Sequence, residues 1–401
     1  MLCRAAVTTG IQCLIMILSA APCRAADKIR DASPELSDDT VLAIVPAMQP
    51  KAGNLVMAEA MSKAGLADAE SAAALAESYI ATGRKMDDVK FYGMADAVLA
   101  AVKPTQNQPL NFLRAKATTK SLLHDFKSAR NILNGILTTN PEDDRARREL
   151  FFLEVLQGDL HLADRHCLNT GGFQASAARD LCALHLKISR GSKLQPHEKK
   201  ILNRRIQDPD PSNATWARDL QMESDFIEIF ASGKQFRPAQ LREAASKYAT
   251  WAADDKPRLA YLADRLLAAG GYKETLELIP DTTQNFALAT RRLAALRLLG
   301  ITAAPSSPDG KLESICRTTI RVEAERGAIE HAREGAIIAL LADRDLERAY
   351  QLALMNWLNQ KEWVDAWLLL QSARENPLQK STVAFDDWSR QQGGVVVHGT
   401  H

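Results

Sequence analysis

Six residues in one stretch carry the side chains from which chemistry could be built: His161, Asp164, His166, Cys167, Cys182 and His185. Imidazole, thiolate and carboxylate are the ligands that a divalent transition metal takes up, and two cysteines can equally close a disulfide. Residue type alone leaves three states open to the pair: bonded to each other, unpaired in a core, or joined by His185 around a metal. Elsewhere the chain has no Gly-x-Ser-x-Gly elbow, no His-Glu-x-x-His helix and no Gly-rich phosphate loop. A triad assembled from distant positions leaves no such trace. The expectation of no catalytic residue and no cofactor therefore rests on the organisation of the chain, whose helical patterning leaves a catalytic domain no place to sit.

Which state the cysteines adopt depends on the compartment. Arg4 precedes the apolar run Ile11-Gln12-Cys13-Leu14-Ile15-Met16-Ile17-Leu18, and small residues lead on to Ala25 and Ala26. This is the order of a secretory signal peptide, cleaved after Ala25 or Ala26. Acylation of Cys23 is the competing use of the segment, but Pro22 stands where a small flexible residue is expected. The run falls well short of the ~20 residues that span a bilayer, and the longest later stretch, Gly335 to Ala342, is cut by Asp343-Arg344-Asp345. We expect a periplasmic or secreted product with no stable membrane insertion. The formal net charge of +1 falls to −1 once Arg4 and Arg24 leave with the signal, which points to no nucleic acid.

The elements that must position these residues are helices. Residues recur at a spacing of 34: Phe126 and Leu160, Asp125 and Asp159, Ala129 and Ala163, Leu133 and Cys167, with Tyr92, Ala95 and Leu99 one step earlier. Two antiparallel helices pack tightly only where the crossing residue lacks bulk, so an alanine sits at the crossing and an aromatic or Leu fills the space beside it. A helix pair alone leaves an apolar face bare, and the next pair covers it.

Asp125-Phe126-x-x-Ala129-x-x-x-Leu133-x-x-Ile136-Leu137-x-x-Asn140-Pro141 resembles the second helix and closing proline of the tetratricopeptide repeat, and Gly158-Asp159-Leu160-x-x-Ala163 repeats the turn. Weaker echoes occur at Gly271-Tyr272 and Asp345-Leu346-x-x-Ala349. The stretch from Arg333-Glu334 through Asn356-Trp357-x-x-Gln360-x-x-x-x-Asp365 is similar to the end of a group of exported bacterial proteins of this type. The resemblance implies an all-α fold, an α-α superhelix of stacked pairs. The expected organisation is a signal peptide over 1–26, a polar leader over 27–50, an N-terminal array over 51–190, a Pro- and charge-rich linker over 191–215, a degenerate C-terminal array over 216–375 and a loose tail over 376–401.

The resemblance also implies where a partner would lie, because in tetratricopeptide arrays the first helix of each pair lines the concave face. That places Asn111, Arg114 and Thr118 in one repeat and Arg145, Arg148 and Phe152 in the next as a candidate peptide-binding groove. Arg114 and Arg148 stand 34 apart, and guanidiniums one repeat apart could clamp a carboxylate or an acidic peptide; the competing reading makes them solvated helix residues. In the same register Cys167 and Cys182 fall level on neighbouring helices, so in an oxidising compartment a disulfide is the simplest state. Cys316 is left as an odd, buried thiol. Trp357, Trp363 and Trp367 read as core packing at the open end of the array, with an aromatic ligand patch as the alternative. The expected function is an envelope scaffold or adaptor for an unidentified protein or peptide; alternatively, the Cys167, Cys182 and His185 cluster handles a metal or small ligand.

Overall fold

Two successive hairpins of the N-terminal region are set by a turn that repeats with the period of the sequence. His124 and Gly158, 34 apart, both adopt the left-handed backbone region, at φ 60° and 74°. The aspartate that follows then caps the next helix: Asp125 accepts from the Ser128 amide at 3.2 Å and Asp159 from the Leu162 amide at 2.9 Å. Such a cap satisfies an amide that has no partner within the helix. Arg344, at φ 58°, and Asp345, which caps at Arg348, repeat the device far downstream.

The computed structural model describes residues 68–399 except 87, 104–106, 169–175, 233–236, 254, 327–330 and 377–381. The expected signal peptide and polar leader lie outside the described residues. Eighteen α-helices and no strand occur among them. In order they are α1 (Ala69–Met86), α2 (Lys90–Ala100), α3 (Leu110–Leu122), α4 (Phe126–Thr139), α5 (Asp144–Leu156), α6 (Leu160–Leu168), α7 (Ser176–Ser189), α8 (Pro196–Arg205), α9 (Pro211–Ala231), α10 (Arg237–Ala252), α11 (Lys256–Ala269), α12 (Tyr272–Leu278), α13 (Phe286–Leu298), α14 (Pro308–Arg326), α15 (Ala332–Ile337), α16 (Leu346–Asn359), α17 (Trp363–Glu375) and α18 (Val383–Gln391). A π-helical segment, Ile338–Asp343, follows α15.

Helices pack on their chain neighbours, and α1 also packs on α3 and α3 on α5. The alanines picked out by the period, Ala95, Ala129, Ala163 and Ala349, have no exposed surface at all, as a close crossing demands. Phe112, Leu133, Ile136 and Leu150 fill the layers beside them.

Two segments differ from expectation. Residues 191–215, read as a linker, form α8 and the first turn of α9. Pro196 and Pro211 each stand in the first turn, where a missing amide costs nothing, and start those helices rather than breaking them. The segment is tied to α7 by ion pairs: Glu198 accepts from Lys187 of α7 at 2.7 and 2.8 Å, and Arg205 bonds Asp180 of α7 at 2.6 Å, while Lys193, Lys200 and Arg204 stay exposed. Residues 376–401, read as a loose tail, carry α18, whose Phe385 and Trp388 pack on Trp357. The chain then docks on the N-terminal region. Trp388 Nε1 donates to the Gly158 carbonyl at 2.7 Å, the Leu160 amide donates to Gln392 at 2.9 Å, and the Val396 amide donates to the Arg190 carbonyl at 3.1 Å. Gly158 and Gly191 permit this approach, since a Cβ at either would collide with Lys361 and Trp388 or with the Val396 carbonyl. The Lys361 amide adds a bond to the Leu156 carbonyl at 2.8 Å. Aromatic anchors without periodicity give no repeat signal, which is why the tail read as unstructured.

Candidate functional site

Helices α3 and α5 bring the groove candidates together, and most of them already hold partners in this chain. Asn111 Oδ1 accepts from the Phe112 amide at 2.9 Å. Arg114 donates to Asp143 at 2.5 Å, and that carboxylate is fully buried. Thr118 donates to Glu149 at 2.8 Å, and Arg145 reaches both Glu149 and Glu77, each at 3.4 Å. Arg148 holds Ser212 and, at 3.0 Å, the Asn213 side chain, with Asp210 at 3.8 Å. Burial pushes the Glu149 carboxyl above its ordinary range, with Thr118 and Arg145 opposing the shift.

The 34-residue spacing of Arg114 and Arg148 is therefore real in sequence, but it does not build a free double clamp. Each guanidinium is oriented by acceptors from a neighbouring element: the segment before α5 for Arg114, and the start of α9 for Arg148. Arg145 and Glu77, whose side chains are 53% and 46% exposed, and the partly exposed ring of Phe152 remain open to solvent. Phe152 lies 4.9 Å from the Trp216 ring and 5.7 Å from His185.

Cys167 in α6 and Cys182 in α7 form a disulfide, with Cα atoms 5.6 Å apart. Neither sulfur is then a thiolate, so the proposed Cys167, Cys182 and His185 metal set loses two of its three donors. No cluster of three or more metal-type side chains occurs among the described residues. His185 has another partner: Trp216 Nε1 donates to its Nδ1 at 3.1 Å. An indole N–H can only donate, so the imidazole proton sits on Nε2. Burial pulls this histidine down to about 4, leaving it neutral at ordinary pH. His166 is likewise drawn down to about 4 by burial, and the cations Arg147 and Arg165 add to the effect. Cys316 is a buried free thiol pushed up to about 12 by burial.

A second polar constellation, which periodicity does not reveal, lies in the C-terminal half. Arg291, almost wholly buried, donates to both oxygens of Asp264 at 2.8 and 2.9 Å and to Glu334 at 2.6 Å. Burial would lower its pKa, but the two carboxylates outweigh that and hold the guanidinium charged. Beside it, Arg333 grips Asp365 at 2.7 and 2.9 Å and also bonds Glu362; Asn356 donates to Asp365 at 2.5 Å and Gln360 to Asn356 at 3.2 Å. These are the residues quoted from the stretch Arg333 to Asp365, so that pattern was the available signal. Its polar positions fall in two hydrogen-bonded sets that adjoin at Arg333-Glu334, one tying α15 to α11 and α13 and the other tying α15 to α16 and α17.

No protein-family model matches the chain, and neither does any curated protein or solved structure.

Proposed function

We propose that this chain is an exported, non-enzymatic helical-repeat protein that serves as an interaction scaffold in the cell envelope. The observation that carries the reading is the contact of Arg145 in α5 with Glu77 in α1, which spans two helix pairs and joins first helices into one continuous surface. A partner would meet an exposed arginine and glutamate beside the partly exposed Phe152. Because Arg114 and Arg148 are neutralised internally, the recognition chemistry centres on Arg145 and Glu77, and an extended polar segment with alternating charges suits it better than a lone carboxylate. The export arm rests on the signal-like N-terminus.

Affinity capture from intact cells tests the reading, with the charge reversal Arg145→Glu as the matched control. The scaffold reading expects a reproducible partner that the reversal releases, from a protein whose mature N-terminus is Ala26 or Asp27. Capture that is indifferent to the reversal would remove the inner face as the binding surface, and an uncleaved N-terminus would remove export.

A further inference from the structure

Where the docked C-terminal segment meets α5, α7, α9, α11 and the start of α17, it leaves a cavity of about 310 Å³. An apolar cavity of about 150 Å³ already accepts benzene, and from about 300 Å³ upward cavities reach the size at which proteins hold small ligands. Aliphatic and aromatic side chains make most of the wall, Leu156, Ile188, Ile227 and Trp388 among them, with Val395 to Val397 as a cover.

The charges on the wall are already answered. Glu223 accepts from Arg265 at 3.2 Å, Arg333 holds Glu362, and the Lys361 ammonium lies 5.5 Å from the centre of the Trp357 ring. Arg265 Nη1 and Trp363 Nε1 have almost no accessible surface, so neither reaches into the space. An ionised ligand would give up its hydration and meet no free counter-charge. Trp388 and His398 are also spent, donating to the Gly158 and Gly191 carbonyls, each at 2.7 Å.

Two neutral donors on the wall are not spent. Trp216 occupies His185 Nδ1, which leaves the imidazole proton on Nε2, and that proton has no acceptor among the described residues. The Tyr261 hydroxyl accepts from Arg265 Nη2 at 2.9 Å, and its own proton likewise has no acceptor among them. Burial, with nearby carboxylates adding to it, raises the Tyr261 pKa well above its ordinary value, so that proton stays in place. Both rings line the cavity, and neither is fully covered by the protein. A donor at the edge of an apolar space is satisfied by an acceptor oxygen that brings no charge with it.

We propose that this cavity is a binding site for a small uncharged molecule with an apolar, ring-sized body and a carbonyl-type oxygen, the body lying against Leu156, Ile188, Ile227 and Trp388 and the oxygen on the Tyr261 or the His185 proton. Neither Arg145 nor Glu77 lines the cavity, so the site stands whether or not those residues receive a protein partner.

Acetophenone is the probe, titrated into the full chain and followed by calorimetry and tryptophan fluorescence. Ethylbenzene matches its shape without the oxygen, and benzoate keeps the ring but carries a charge. Acetophenone and ethylbenzene should each bind saturably, with benzoate at least about tenfold weaker than acetophenone because its charge finds no partner. Tyr261→Phe and His185→Phe each remove one donor. The donor that receives the oxygen is marked by a loss of about fivefold for acetophenone with ethylbenzene unchanged, and the unchanged ethylbenzene shows that the variant keeps its cavity. No saturable binding of either neutral probe, benzoate as tight as acetophenone, or an acetophenone affinity that neither variant lowers relative to ethylbenzene would overturn the proposal.

Discussion

The two halves of the molecule solve the same packing problem with different chemistry. In α1 to α7 the layers are apolar, alanines mark the crossings, and ion pairs keep their cations partly wet: Arg114 and Arg130 are 22% and 31% exposed against buried acids. In α9 to α17 two of the paired cations are themselves inside, Arg265 and Arg291, each 2% exposed. A small residue at a crossing is required again at every repeat, so the N-terminal half is periodic. A buried ion pair is required once, at one place, so the C-terminal half loses its period while gaining a network that only one arrangement of helices satisfies.

The sharpest way to break that contrast is at Arg291. Arg291→Leu leaves Asp264 and Glu334 buried without their cation and should cost about 3–5 kcal/mol, read as a lowered urea midpoint. A cost below that of an exposed pair would mean the network contributes nothing. In the N-terminal half the largest single staple is the disulfide. Replacing Cys167 and Cys182 together with serine should cost about 2–4 kcal/mol, and the parent under reductant should fall to the same midpoint. Smaller again is crowding at a crossing: Ala163→Leu adds bulk where no surface is exposed and should cost about 1–3 kcal/mol, while the same change at the exposed Ala183 should not register.

The pH dependence sharpens the comparison further, because His185 in one half and Asp365 in the other titrate in opposite senses. His185 has a folded pKa of about 4, below its ordinary 6.5, so its contribution to stability is present above pH 6.5 and is lost as pH falls toward 4. Asp365 in the C-terminal network is raised by burial to about 6, so its contribution is present at low pH and is lost as pH rises from 3.8 toward 6. His185→Gln keeps an acceptor for Trp216 and removes the titration. Urea unfolding at a series of pH values should then show a shallower loss below 6.5 than in the parent, and an unchanged slope would contradict the assignment.

Much of the N-terminal half could be read from residues: the 34-residue register, the alanine crossings and the level placement of Cys167 and Cys182. The register also brought the groove candidates onto α3 and α5, which pack on each other. It did not show what Arg114 and Arg148 touch. Their partners, Asp143 and the Ser212 to Asn213 turn, come from segments that stand outside the repeating positions. The prolines of 191–215 carried an ambiguity of the same kind, since proline ends one helix and begins another equally well. The docking of the C-terminal segment was least legible. It needs Trp388, Gln392 and Val396, whose partners Gly158, Leu160 and Arg190 lie far away in the chain.

The inner face as a binding surface is tested most directly by photocrosslinking in intact cells. A crosslinkable residue at position 145 is compared with one at the exposed Lys127 of α4, which is not among the inner-face residues. The scaffold account predicts a discrete, reproducible adduct from 145 and none from 127. Equal adducts from both positions, or none from 145, would contradict it.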